Sequence, residues 1–240
     1  MIIGVTGGIG SGKSTFEKTV KDLDFSTIDA DVIASEILIA NDPLKNLIVR
    51  FFKAECDVDV LIGGEINKKI IAKWFFTDSK TKKYIEGLIH PLVKTHIENW
   101  IEEHSNETVF IFVPIMFETG FNEMMDKVIN ISSTILNRAD RVMKNRNCSF
   151  ADFHSRVKNQ TCEEERCMRS DYVIENNDTI EEFEKNILKI IETINVERKL
   201  RDAIGADFVE DFQKETIEFG RCIAEDTNNI ETEKTTKKAQ

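Results

Sequence analysis

Gly7-Gly8-Ile9-Gly10-Ser11-Gly12-Lys13-Ser14-Thr15 fits the spacing G-x-x-x-x-G-K-[ST]. Four glycines within six residues let a chain curl until successive N–H groups face one point, where an anion with several oxygens satisfies them. Lys13 is spaced to reach the β- and γ-phosphates of a nucleoside triphosphate, and the Ser14 hydroxyl to ligate Mg²⁺. Gly8, Gly10, Ser11, Gly12, Lys13, Ser14 and Thr15 are therefore the candidate ATP-binding residues, and Ser14 the candidate metal ligand. A glycine-rich turn without a ligand is the plain alternative; the Lys-Ser pair directly after the glycines counts against it.

A second constellation follows at Ile28-Asp29-Ala30-Asp31. Phosphoryl transfer to an alcohol needs a group that orients and deprotonates the hydroxyl, and Mg²⁺ needs oxygen ligands. Either aspartate suits these roles. One of them is equally suited to cap a helix starting near Val32. Basic residues gather in two places: residues 138–158 carry a local charge of +4 and residues 68–94 one of +5. Two basic segments around a phosphate loop are what two phosphorylated ligands require, although solvated helix faces produce the same runs.

The elements that must position these groups alternate. Ile2–Thr6, Phe25–Asp29, Thr108–Val113, Lys127–Ser132 and Tyr172–Glu175 are short apolar runs, expected to be buried strands. Helices are expected over Lys13–Leu23, Asp31–Ala40, Pro43–Phe52, Ile66–Phe76 and Ser79–Glu103, with Pro91 breaking or kinking the last. Residues 53–65 read as irregular around a Gly63-Gly64 turn, and Asn137–Arg169 as helical and arginine-rich. Thr179 and Glu182 form a capping box before a helix whose apolar face is Ile180, Phe183, Ile187, Ile190, Ile191 and Ile194. After about Asp226 the chain is polar and expected to be disordered. The alternation implies a doubly wound α/β fold with five parallel strands and a helical insertion over about 31–104.

Composition narrows the partners. A net charge of −11 and a pI near 5.0 argue against nucleic acid and anionic membranes, which need a positive field. No apolar run approaches the ~18 residues of a membrane span. The first hydrophobic stretch ends in glycines rather than a cleavage site, so a cytoplasmic location is expected. Five unpatterned cysteines give no disulfide framework, and Cys162, Cys167 and His154 fit no zinc spacing.

Taken in order, the motifs resemble the dephospho-coenzyme A kinase family of P-loop kinases. The resemblance rests on TGGIGSGKST and IDAD, then Trp74–Asp78, Ile89-His90-Pro91-Leu92, Val113–Glu118, Gln160-Thr161 with Glu164, Glu165 and Arg166, and Ser170–Asn176. It covers residues 1 to about 195. It implies that ATP and Mg²⁺ serve to phosphorylate the ribose 3′-hydroxyl of dephospho-coenzyme A, the last step of coenzyme A biosynthesis. Asp31, Lys13 and Arg141 are then the catalytic residues. Asp29, Asp31, His90, Pro91 and Glu118 face the acceptor, and residues 137–169 form an arginine-rich lid. Residues 1–200 make the kinase domain, and 201–240 a helical extension and tail.

Two departures stand out. Phe112 occupies the place of an aspartate common in the family, which leaves Asp29, Asp31 or Glu118 to support Mg²⁺. Arg141 and Arg146 are five residues apart where the family spaces its lid arginines by four. The alternatives are another small-molecule kinase acting on a nucleoside or nucleotide, and a non-catalytic ATP-binding module.

Overall fold

A computed structural model describes residues 1–146 and 149–204, with backbone only at residues 76, 145, 146 and 204. The tail beyond 204 and the Arg146 side chain lie outside the described residues.

Five strands, β1 (Ile2–Gly7), β2 (Ser26–Asp29), β5 (Val109–Phe112), β6 (Lys127–Ser132) and β7 (Tyr172–Glu175), form one sheet in the order β2-β5-β1-β6-β7. Every pairing in it is parallel. β-Branched and aromatic side chains fill the central strands, and Ile3, Val5, Phe110, Ile111, Ile129 and Ile131 are fully buried. Because β1 is central, the loop that leaves it opens at the carboxyl edge of the sheet, where such folds bind ligands.

Between β2 and β5 lies the expected helical excursion: α2 (Ala30–Ala40), α3 (Asp42–Cys56), α4 (Lys68–Thr77) and α5 (Ser79–Glu103). It differs from expectation in two places. α3 runs on to Cys56, and Gly63-Gly64 closes a short hairpin of β3 (Leu61–Ile62) and β4 (Glu65–Ile66). Both glycines have positive φ, at 60° and 84°, the geometry that tight hairpins demand. The second correction is that Pro91 does not break α5. Ile85 on one side and Val93 and Ile97 on the other are buried, so packing holds the helix through the proline. α2 and the second half of α5 cover the sheet through Ile33, Val93 and Ile97. The insertion has a core of its own, made of Leu44, Ile48, Phe52, Val60, Ile71 and Ile85.

After β5 come a single-turn helix, α6 (Met116–Thr119), and a 3-10 turn, both too short to leave a periodic signal. The stretch 137–169, expected to be helical, holds three helices: α7 (Ile135–Arg146), α8 (Phe150–Lys158) and α9 (Glu163–Arg169). Ser149 restarts the chain by accepting from the N–H of Asp152 at 3.1 Å. Asn159 ends α8, its side chain donating back to Ser155 O at 2.8 Å. In α10 (Ile180–Ile204), Phe183, Ile187, Ile191 and Ile194 are buried, and the N–H of Glu182 donates to the Thr179 hydroxyl at 3.3 Å. Met1–Leu188 form one compact unit. No helix among the described residues is long and apolar enough to cross a membrane.

Candidate active site

β1 runs directly into the phosphate loop, and α1 (Lys13–Asp22) leaves it. Gly10 (φ +79°) and Gly12 (φ +115°) hold conformations that side chains disfavour, which is why the loop turns there. Gly12 caps α1, so the unpaired N–H groups and positive end of that helix face the loop. Two side chains brace the loop from outside. Asn176 Nδ2 donates to Ser11 O at 2.7 Å, and Gln160 Oε1 accepts from the N–H of Ile9 at 3.0 Å. Lys13 Nζ lies across the loop, donating to Gly7 O at 2.5 Å and Gly8 O at 3.3 Å.

Arg141 enters from α7. It donates to Asn176 O at 2.9 Å, Asn176 Oδ1 at 3.1 Å, Ser133 Oγ at 3.2 Å and Gly10 O at 3.4 Å. That network fixes the guanidinium beside the loop.

The two aspartates separate cleanly. Asp29 Oδ1 accepts from the N–H groups of Asp31 at 2.7 Å and Val32 at 3.3 Å, so Asp29 is the N-cap of α2. Asp31 sits in the first turn of that helix and its side chain is exposed toward the cleft. In register, Asp29 pairs with Phe112, and Phe112 with Val5. Phe112 is buried and meets the Phe16 ring edge-on at 6.0 Å, so it continues the core at this position.

These groups line one cleft of about 480 Å³. It brings together Gly10, Ser11, Gly12, Lys13, Ser14, Thr15, Asp29, Asp31 and Arg141 among the expected residues. Four do not line it. Gly8 faces buried arginines. His90 is half-buried one turn beyond Glu86, and desolvation draws its pKa below the ordinary value against the pull of that carboxylate. Pro91 is exposed on α5. Glu118 turns away to accept from the N–H of Thr161 at 2.5 Å.

The cleft also holds Lys82, Glu86, Arg156 and Gln160, which the residue patterns did not single out as site residues. The spacing of 82, 86 and 90 by four placed one face of α5 together and was the available signal. Of the lysines over 68–94, Lys80 pairs with Glu55 and Lys94 with Glu98 on the surface. Lys82 pairs with Glu86 at 3.8 Å and also donates to Asn159 Oδ1 at 3.1 Å, from α5 to the end of α8. Most of that charge run is solvated face; one residue of it is site.

Among nucleotide-binding folds, this strand order and the lysine-bearing loop at the end of its central strand define the P-loop kinases. Within that class the chain belongs to the dephospho-CoA kinase family, whose model matches residues 1–182. A dephospho-CoA kinase of Fusobacterium nucleatum is 30% identical over 194 residues, covering 81% of this chain and 98% of the relative. One from Bacillus cereus is 29% identical over 199 residues, covering 82% and 98%. Among solved structures, a Thermus thermophilus protein superposes with a TM-score of 0.70 at 26% identity, covering 80% of this chain and 96% of its own. Dephospho-CoA kinase from Campylobacter jejuni superposes at 0.62 with 29% identity and the same coverage.

Proposed function

We propose that the cleft holds ATP and dephospho-coenzyme A together, and that Asp31 takes the proton of the ribose 3′-hydroxyl as its oxygen attacks the γ-phosphorus, whose bond to the β,γ-bridging oxygen breaks and releases ADP. ATP-dependent phosphorylation of dephospho-coenzyme A is the activity of the family to which the chain belongs. The division of labour among residues is our reading of the geometry. One observation carries it: both aspartates line the cleft that contains Lys13, and Asp29 is the cap of α2 while Asp31 sits exposed in the first turn of that helix.

The phosphate loop and the N-terminus of α1 hold the β-phosphate, and Lys13 and Arg141 stabilise charge on the transferring group. Proton removal by a positioned carboxylate contributes about 10²- to 10⁴-fold. Lys82 and Arg156, on the α5 and α8 sides of the cleft, suit the phosphates of the acceptor. Closure of α7–α9 over both ligands excludes water and suppresses ATP hydrolysis.

The residues present fit Mg²⁺. That ion binds through one or two protein oxygens plus substrate phosphates, and an exposed Ser14 shares the cleft with the carboxylates of Glu17, Asp29, Asp31 and Glu86. No cluster of three metal-binding side chains exists among the described residues, and this ion requires none. Ser14 and a cleft carboxylate would hold the ion, which would supply positive charge against the nucleotide phosphates. The unpaired thiols of Cys56, Cys162 and Cys167 support a cytosolic setting.

The test is ADP release with dephospho-coenzyme A against a panel of nucleosides and nucleotides. Turnover with dephospho-coenzyme A, giving a 3′-phosphorylated product, is the expected result. Faster turnover with a nucleoside would move the chain to another acceptor class, and ATP binding without any transfer would leave only a binding module.

A further inference from the structure

Two arginines not used above sit buried against the first turn of the phosphate loop. Arg138, in α7, is 5% exposed and Arg166, in α9, is 3% exposed. Their guanidinium groups converge on Gly8. A β-carbon built there would lie 1.4 Å from Arg138 Nη1 and 3.1 Å from Arg166 Nη2. One carboxylate serves both: Glu163 Oε2 is 3.8 Å from Arg138 Nη1 and forms a closer pair with Arg166 Nη2. Arg166 Nη1 also donates to Thr161 O, and Asn130 Nδ2 donates to Glu163 Oε1 at 3.0 Å. Nε and Nη1 of Arg138 and Nε of Arg166 are buried without a hydrogen-bond partner.

The charges do not balance. Two guanidinium groups against one carboxylate leave one positive charge in excess. Burial disfavours that charge and draws the Arg138 pKa down, with Glu163 opposing and Arg166 assisting. A buried cation with unfilled donors is costly unless something else supplies negative charge. The loop on which the pair presses is built to hold phosphates.

We propose that Arg138 and Arg166, tied by Glu163, are a positioning pair that backs the phosphate loop and strengthens its hold on nucleotide phosphates, which supply the negative charge the pair lacks. The inference rests on the reading of this loop as the ATP site. It also accounts for glycine at position 8, since any side chain there takes the place of the Arg138 guanidinium.

The test uses the full chain and measures binding of ATP, ADP and adenosine by calorimetry, with melting temperature recorded with and without ATP. Arg138→Gln keeps hydrogen-bonding capacity and removes charge. It is expected to weaken ATP and ADP about tenfold while adenosine is unaffected, and to leave the melting temperature without nucleotide unchanged or raised. Arg138→Lys recovers part of the ATP affinity. Glu163→Gln worsens the imbalance, so it lowers the melting temperature without nucleotide and enlarges the shift that ATP produces. An equal loss for ATP and adenosine, an Arg138→Gln chain that does not fold, or no larger ATP shift in Glu163→Gln would each make the pair a structural brace and overturn the inference. A parent chain that binds ATP no tighter than adenosine would instead overturn the reading of the loop itself.

Discussion

The sheet edge and the lid border the same cleft but are held by different means. β1, β5 and β6 are buried almost throughout, and the phosphate loop inherits their rigidity. Among the described residues, the proposed lid helices α7 and α8 share a small buried apolar cluster of Ala139, Val142 and Phe153, with Val157 and Ile9 of the loop packed against it. Arg138 and Arg166 are buried beside them with donors that have no hydrogen-bond partner, so charge adds little to holding these helices down. A site that stabilises developing charge gains from dipoles fixed in advance, while a cover that must open for ligand exchange gains from a small core. The two regions divide those requirements.

The largest effect is expected at the rigid edge. Lys13→Ala should lower turnover by at least about 10³-fold, because its charge acts on the transferring group, and circular dichroism and melting should stay near the parent. Near-normal turnover at saturating ATP would remove the loop from the chemistry. Arg141→Ala comes next, on the lid side. Turnover should fall about 10- to 100-fold, and by more than ATP affinity. Equal fractional losses would make Arg141 a ground-state contact, in keeping with its bonds to Gly10 and Asn176.

Phe153→Ala sharpens the comparison directly. Truncating a buried phenylalanine costs about 3–5 kcal/mol in a core. Here the cost should fall on local opening, so hydrogen exchange should accelerate in α7 and α8 while β1, β5 and β6 keep their protection. Equal loss of protection in both regions would show that lid and sheet unfold as one. The smallest effect is expected at Lys80, whose pair with Glu55 lies on the surface. Lys80→Ala should leave both melting and turnover unchanged, whereas a loss would draw that lysine into the site.

What was legible in the sequence follows the same division. The five strands and the phosphate loop were readable because continuous apolar runs and fixed glycine spacing are local signals. The lid was not. Ser149 and Asn159 interrupt a polar stretch through side-chain bonds to the backbone, and helical periodicity alone does not reveal them. At Pro91 the expected break was the alternative that failed, because the packing of Ile85, Val93 and Ile97 carries α5 through the proline. In the cleft, IDAD named two carboxylates that both line it, but both residues are good helix caps, and the hydrogen bonds of Asp29 show which one caps α2. The Arg138–Glu163–Arg166 cluster joins distant positions and had no local signature.

That separation is the central claim, and kinetics of Asp31→Asn beside Asp29→Asn tests it most directly. Asparagine keeps the size of both side chains and caps helices as well as aspartate. Asp31→Asn should lose about 10²- to 10⁴-fold in turnover with dephospho-coenzyme A, with ATP affinity and melting temperature close to the parent. Asp29→Asn should lose less, since its capping bonds survive the substitution. Normal turnover by Asp31→Asn alongside a dead Asp29→Asn would contradict the account and give the chemistry to the residue assigned here to the cap.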